Sequence, residues 1–258
     1  MILLFHREAR DTFNLEPAAA LQDPSAHGLP IAVASRRSFL QVIGGGTVAG
    51  LAAAAGLEIL APQPALAQST LTPDAALREL MEGNRRFAAG RLTAHEQDLA
   101  VLRKHTVEKQ EPFAAVLSCA DSRVPVEMVF DQSINRIFVT RIAGNIATTE
   151  IIASLEYGAA VLGTKVILVV GHSGCGAVKA TIQGKAAPGE ISALYPHIQP
   201  AVAQAGPDLN AAIKANAKIQ AGLLRDSSTV ISALVKESKL KVVAAYYDIA
   251  TGIVTTLE

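Results

Sequence analysis

The sequence predicts an α/β fold: a parallel β-sheet core flanked by helices, with a C-terminal antiparallel edge and an N-terminal helical arm. Three observations point there. Short apolar segments at Phe113–Ser118, Ile137–Arg141 and Lys165–Val170 are bounded by proline, glycine or polar turns, the pattern of strands buried on both faces. Helical patterns alternate with them, which calls for crossover connections and a layer of helices on each side of the sheet. Near the C-terminus, Lys241–Asp248 and Gly252–Leu257 read as a hairpin joined by Ile249-Ala250-Thr251.

The elements follow in order. Thr72-Pro73-Asp74 starts a helix, with a hydroxyl cap, proline at the first helical position and an acid facing the dipole. That helix runs over Ala75–Ala89, places Leu77, Leu80 and Met81 on one stripe, and stops before Gly90. Thr148–Leu162 is helical between the second and third strands. Beyond them Cys175–Ile182, Ser192–Gln204 and Asp208–Glu237 have helical patterns, with Pro196, Pro200 and Pro207 as breaks.

Of 258 residues, 23 are basic and 23 acidic, half are hydrophobic and none is Trp. A balanced charge offers no field to steer the chain to nucleic acid or an anionic membrane. The composition suits a packed core rich in Ala, Val, Ile and Leu.

The first 67 residues do not read as fold. Arg36-Arg37 precede Phe39-Leu40 and a modest apolar run from Val42 to Ala61, followed by the small-x-small pattern Ala65-Leu66-Ala67. This is similar to a twin-arginine export signal, which implies the twin-arginine translocase as a partner and a periplasmic or otherwise exported product, residues 68–258. The competing reading is a membrane anchor, since the run is about long enough to span. Its many glycines, its alanines and Glu58 argue instead for a cleaved segment and no stable membrane insertion afterwards. Exported proteins with two cysteines can hold a disulfide, but twin-arginine substrates fold and take up cofactors before export, which points to cysteines occupied by metal.

Those two cysteines frame the chemistry. In an open parallel sheet, functional groups gather beyond the carboxyl ends of the strands. Cys119 ends the first strand, and the glycine-rich turn Gly171–Gly176 after the third carries His172 and Cys175, three residues apart. Two thiolates and an imidazole suit zinc with one tetrahedral position open, a catalytic rather than a closed arrangement. Asp121 and Arg123 follow Cys119 in the same loop and can pair directly. A carboxylate held by Arg123 is kept off the metal and can accept a hydrogen bond from bound water. Two thiolates neutralise the ion, so that help matters more than it would beside three histidines.

Other readings of the turn fare worse. Its glycines match neither the dinucleotide fingerprint nor the phosphate-binding loop. A redox dithiol lacks C-x-x-C and leaves His172, Asp121 and Arg123 unused. The zinc deaminase signature is absent. His95, His105 and His197 read as solvated or locally bonded, and Tyr246 and Tyr247 as packing and surface groups.

Taken together, "CADSR" at 119–123, "RIAGN" at 141–145 and "GHSGCGAV" at 171–178 resemble the β-class carbonic anhydrases over about residues 72–257. The resemblance implies one zinc ion per subunit on Cys119, His172 and Cys175, with Asp121 and Arg123 as the catalytic pair. It implies reversible hydration of carbon dioxide to bicarbonate and a proton, by hydroxide on the zinc. Plant-type members line the substrate pocket with residues matched here by Gln110, Phe138, Tyr157 and Gly176, favouring the subtype with water as fourth ligand. The family forms that pocket between subunits, so a homodimer or higher even oligomer is implied. Two alternatives share the same motifs: hydrolysis of carbonyl sulfide or carbon disulfide, and a non-catalytic zinc- or bicarbonate-binding subunit.

Overall fold

The computed structural model describes residues 69–94, 100, 106 and 109–258; the export-signal reading of residues 1–67, and His95 and His105, lie outside them. Within this range the sheet has five strands: β1 (Ala114–Ser118), β2 (Ile137–Arg141), β3 (Val166–His172), β4 (Lys241–Tyr247) and β5 (Val254–Leu257). Their order is β2-β1-β3-β4-β5, parallel except for the antiparallel β4–β5 pair. The expected parallel core with an antiparallel edge is therefore observed. β5 pairs only with Ala244–Tyr247, so among the described residues the first three of β4 have no strand partner on that side.

Central strands β1 and β3 are buried along their whole length. Because side chains alternate along a strand, each strand feeds two cores. Val116, Leu168 and Val170 face α1 (Pro73–Ala88) and α2 (Val126–Val129), packing with Leu80 and Phe130. Leu117, Ile167 and Val169 face the opposite way, toward Leu155 of α3 (Thr149–Glu156), Leu224 of α6 (Leu209–Ser227) and Ile231 of α7 (Thr229–Lys236). A third cluster, at the carboxyl ends of the strands, joins Cys119 and Cys175 to α4 (Gly176–Gln183), α5 (Tyr195–Ala205) and α6.

α1 begins as expected, with the Thr72 hydroxyl accepting the Ala75 N–H at 3.2 Å. Three helical expectations are corrected. The stretch 148–162 is α-helical only to Glu156 and then widens into a π turn over Tyr157–Val161, closed by Leu162 N–H to the Tyr157 carbonyl. The run 208–237 is two helices, because Ser228 is extended (φ −93°, ψ 116°) and its hydroxyl caps Ile231 while donating to Glu156 at 2.6 Å. Pro200 lies inside α5 without breaking it; the bond it forgoes would end on the Pro196 carbonyl in the first turn. Strand β3 also runs two residues past Val170, carrying Gly171 and His172 in register with Tyr246 and Tyr247.

Below the sheet's first face, Asp131 ties loops to helix. Its buried carboxylate accepts hydrogen bonds from Arg86, from Thr93 N–H and hydroxyl, and from Ala94 N–H. Burial pushes this carboxyl up, but the hydrogen bonds outweigh it and hold the group at about 2 against its ordinary 3.8. Asp131→Asn is expected to lower the unfolding free energy by ~2–3 kcal/mol, the scale of lost bonds to a charged group. Since the folded-state pKa is depressed, that contribution is full above the unfolded value and fades as pH falls toward about 2. Urea unfolding of both proteins at pH 7 and pH 3 checks this: the gap should narrow at the lower pH.

Candidate metal and active site

Three peptide segments converge at the carboxyl end of the sheet. Cys119 directly follows β1, His172 is the last residue of β3, and Cys175 stands immediately before α4. Between the last two, Gly174 takes φ +68°, which lets a two-residue turn fold back so that strand end and helix start face one point. The turn is anchored: Ser173 N–H donates to the Tyr247 carbonyl, and its hydroxyl accepts from Ile249 N–H at 2.9 Å.

The ligating atoms of Cys119, His172 and Cys175 lie within 4.8 Å of one another, and all three residues are buried. His172 Nδ1 is 3.1 Å from the Ser173 carbonyl, which fixes the ring proton on Nδ1 and leaves Nε2 as the donor atom. Nε2 is buried without a hydrogen-bond partner. An orphaned imidazole nitrogen within 4.8 Å of two sulfurs is costly unless something pairs with it. A tetrahedral cation that favours sulfur and nitrogen, zinc above all, fits this donor set.

The two sulfurs share one proton. The Cys175 thiol, hydrogen-bonded to Cys119, brings the Cys119 pKa down to about 4 in spite of burial, with His172 and the Gly144 N–H (3.4 Å) adding to the effect. The same shared proton, with burial, pushes Cys175 up. A metal ion held by Cys119, His172 and Cys175 would displace that proton, since thiol ligands bind metal as thiolates.

Beside the cluster, Arg123 grips Asp121 in a two-pronged pair, Nη2 to Oδ2 at 2.7 Å and Nε to Oδ1 at 3.0 Å, while the Arg123 backbone N–H also donates to Oδ1. The guanidinium holds the Asp121 carboxyl well below the usual carboxylate range. Its Nη2 also reaches the Gly174 carbonyl at 3.3 Å, so Arg123 bridges the two ligand-bearing loops. Asp121 Oδ2 lies 3.9 Å from His172 Nε2, close to the cluster but restrained from entering it.

One contributor stood in the sequence only as the first residue of the RIAGN motif, with no role assigned to it. Arg141, at the end of β2 and in register with Ser118, donates to the carbonyls of Cys119 (3.0 Å) and Asp121 (2.6 Å), pinning the loop that carries both. Its register beside Cys119 follows only from strand pairing.

The expected pocket residues divide. Gly176 opens α4 directly after Cys175, with open space around it. Phe138 and Tyr157 meet, with ring centroids 6.3 Å apart, but at the other end of the sheet: Phe138 pairs with Ala115, four residues before Cys119 or ~13 Å along a strand. Gln110 is exposed in the segment leading into β1. A single chain thus brings Gly176 to the cluster and leaves Gln110, Phe138 and Tyr157 away from it.

Residues 114–254 match the family model described as carbonic anhydrase. Carbonic anhydrase 2 of Mycobacterium tuberculosis is 42% identical over 110 residues, 43% of this chain and 53% of that one. A carbonic anhydrase of Pseudomonas aeruginosa is 31% identical over 199 residues, covering 70% of this chain and 88% of its own. The chain spans between half and two thirds of the length of the mycobacterial relatives it matches, 53% for the M. tuberculosis protein and 65% for that of Mycolicibacterium smegmatis. Among solved structures, the Coccomyxa β-carbonic anhydrase in complex with acetazolamide superposes with a TM-score of 0.56 at 26% identity, over 70% of this chain and 86% of that one. The β-carbonic anhydrase CcaA gives the same TM-score at 25% identity, over 70% and 87%. With the family match covering more than half the chain, a 31% identical relative covered over 88% of its length and β-carbonic anhydrase structures superposing on the fold, the chain belongs to the β class of the carbonic anhydrase family.

Proposed function

We propose that this chain catalyses the zinc-dependent, reversible hydration of carbon dioxide to bicarbonate and a proton. The observation that carries the reading is the buried Cys119-His172-Cys175 cluster, with its unpartnered His172 Nε2, beside an aspartate tied to an arginine. Zinc held by these three residues would acidify a water molecule enough to supply a nucleophile near neutral pH. The residues of the chain do the rest. Asp121, held ionised through the neutral range by Arg123, would accept a hydrogen bond from a water at the cluster and orient it toward the substrate. Arg123 keeps the carboxylate from occupying the open position itself. Gly176, with no side chain, leaves room beside the ligand loop for a small linear substrate.

Gln110, Phe138 and Tyr157 enter this reading through a second copy. Tyr157 and Val161 are about half exposed (46% and 50%) next to Phe138, an apolar surface on the π turn at the end opposite the metal cluster. A homodimer, or a larger even assembly, that buried this surface against the partner's ligand loops would complete the pocket with these three side chains. Residues 68–258 form the catalytic domain in this scheme, and residues 1–67 serve as a twin-arginine signal delivering the folded enzyme to the periplasm. No helix among the described residues is long and apolar enough to cross a membrane.

Stopped-flow hydration of carbon dioxide by the zinc-loaded chain, followed with a pH indicator over roughly pH 6.5 to 9, tests the reading in the range where metal-bound water titrates. Turnover at neutral pH that rises smoothly is the expected result, because Asp121 is already fully ionised there. A steep onset only above about pH 8 would mean that Asp121 escapes Arg123 and closes the site. Absence of turnover with zinc bound would overturn the proposal.

A further inference from the structure

The inward stripe of α6 is apolar (Ala212, Ile213, Ala217, Ala221, Leu224) but for two side chains, Asn216 and Gln220, buried to 0% and 2% exposure. Two amides in such a setting are unfavourable unless their groups are paired. Here they are paired, and mostly to one loop. Asn216 Nδ2 donates to the Gly144 carbonyl at 2.8 Å, and Gln220 Oε1 accepts the Ala147 N–H at 2.8 Å. Gln220 Nε2 donates to Asn216 Oδ1 at 3.1 Å and to the His197 carbonyl of α5 at 3.0 Å. The pair therefore grips residues 144–147 at both ends.

That loop needs gripping. Gly144 and Asn145 both have positive φ (+79° and +45°), a conformation that glycine adopts freely and asparagine tolerates, so local preference permits the turn but does not fix where its N–H groups point. Gly144 also lies so close to α5 that a Cβ there would stand 2.7 Å from Ile198 Cδ1. In this position its N–H points at Cys119 Sγ, 3.4 Å away. A hydrogen bond to a ligating sulfur draws charge from it and lowers its donation to the metal.

We infer that Asn216 and Gln220 are positioning residues for the metal centre, holding the 144–147 loop from behind so that the Gly144 N–H stays on the Cys119 sulfur. This rests on the metal-site part of the reading above and not on the identity of the reaction. It assigns a part in the site to two residues of a helix that supplies none of the three cluster residues.

The test uses the full chain loaded with cobalt(II), whose thiolate charge-transfer absorption reports sulfur donation directly. Asn216→Leu removes the donor to Gly144 at nearly constant volume, and Asn216→Asp sets an acceptor against that carbonyl. In both, the charge-transfer band should move to longer wavelength as Cys119 becomes the stronger donor, and hydration should fall ~10–100-fold, the usual effect of losing an outer partner of a metal ligand. Leu224→Ala, which opens a cavity elsewhere on the same helix, should leave the band in place. An unshifted band in a folded Asn216 variant, or an equal shift in Leu224→Ala, overturns the inference. Should Asn216→Leu fail to fold, Asn216→Asp decides. A parent protein that shows no thiolate band overturns the metal site and this inference together. A parent with the expected bands and shifts but no hydration supports the positioning role and overturns only the proposed reaction.

Discussion

Cys175→Ser is expected to abolish carbon dioxide hydration and strip the protein of zinc, a loss well beyond the ~100-fold that follows removal of an outer partner. Cys175 is fully buried at the amino end of α4, where the proton shared with Cys119 and burial push its thiol up and the N–H groups of Ala177 and Val178 offset this only in part. A serine hydroxyl at that point stays protonated and offers zinc a neutral oxygen in place of a thiolate, so the donor set no longer holds the ion. Bound zinc measured by mass spectrometry, with stopped-flow hydration on the same sample, checks both halves. Full zinc occupancy with unchanged turnover would remove Cys175 from the site.

Nearly as large an effect is expected for the neighbouring pair, with the opposite signature in the metal content. Asp121→Asn keeps the shape and removes the charged acceptor, and hydration should fall ~10²–10⁴-fold while zinc stays bound. Arg123→Ala should be as damaging for a different reason. It releases both side-chain hydrogen bonds on the carboxylate and leaves Oδ2, already 3.9 Å from His172 Nε2, free to take the open coordination position. If restraint of Asp121 is what Arg123 does, the double substitution Asp121→Asn/Arg123→Ala is no worse than Asp121→Asn alone, because a neutral amide competes poorly for the metal. Additive losses in the double variant would instead mean that Arg123 acts on the substrate or on the Gly174 loop it also touches. Arg123→Lys should not rescue, since an ammonium cannot reproduce the two-pronged grip.

The ligands were legible in the sequence because each sits at a point where local signals are strong. Cys119 closes an apolar strand, and His172 and Cys175 flank the two-residue turn of Ser173 and Gly174. Asp121 and Arg123 are close enough in sequence to pair without knowledge of the fold. The supports were not legible. Arg141 reaches the Cys119 loop only through the β1–β2 register, and Asn216 and Gln220 find Gly144 and Ala147 across about seventy positions of chain. One signal for the amide pair was present: two polar residues four apart within an otherwise apolar helical stripe. Helix limits failed where a side chain or a widened turn, rather than proline or glycine, ended the element, as at Ser228 and Tyr157. Phe138 and Tyr157 do come together, but a sequence read one copy at a time could not place them relative to the metal.

The mismatch in length between β4 and β5 bears on solubility. A bare stretch at a sheet margin invites pairing with strands of other molecules, and such stretches are commonly defended by charge or by a covering side chain. Here the unmatched residues begin with Lys241, held by Asp74, and the Val242 carbonyl is taken by Arg225 at 3.0 Å. The margin is thus a charged, partly blocked lip, and growth of the sheet by strand addition from other copies is opposed at that side.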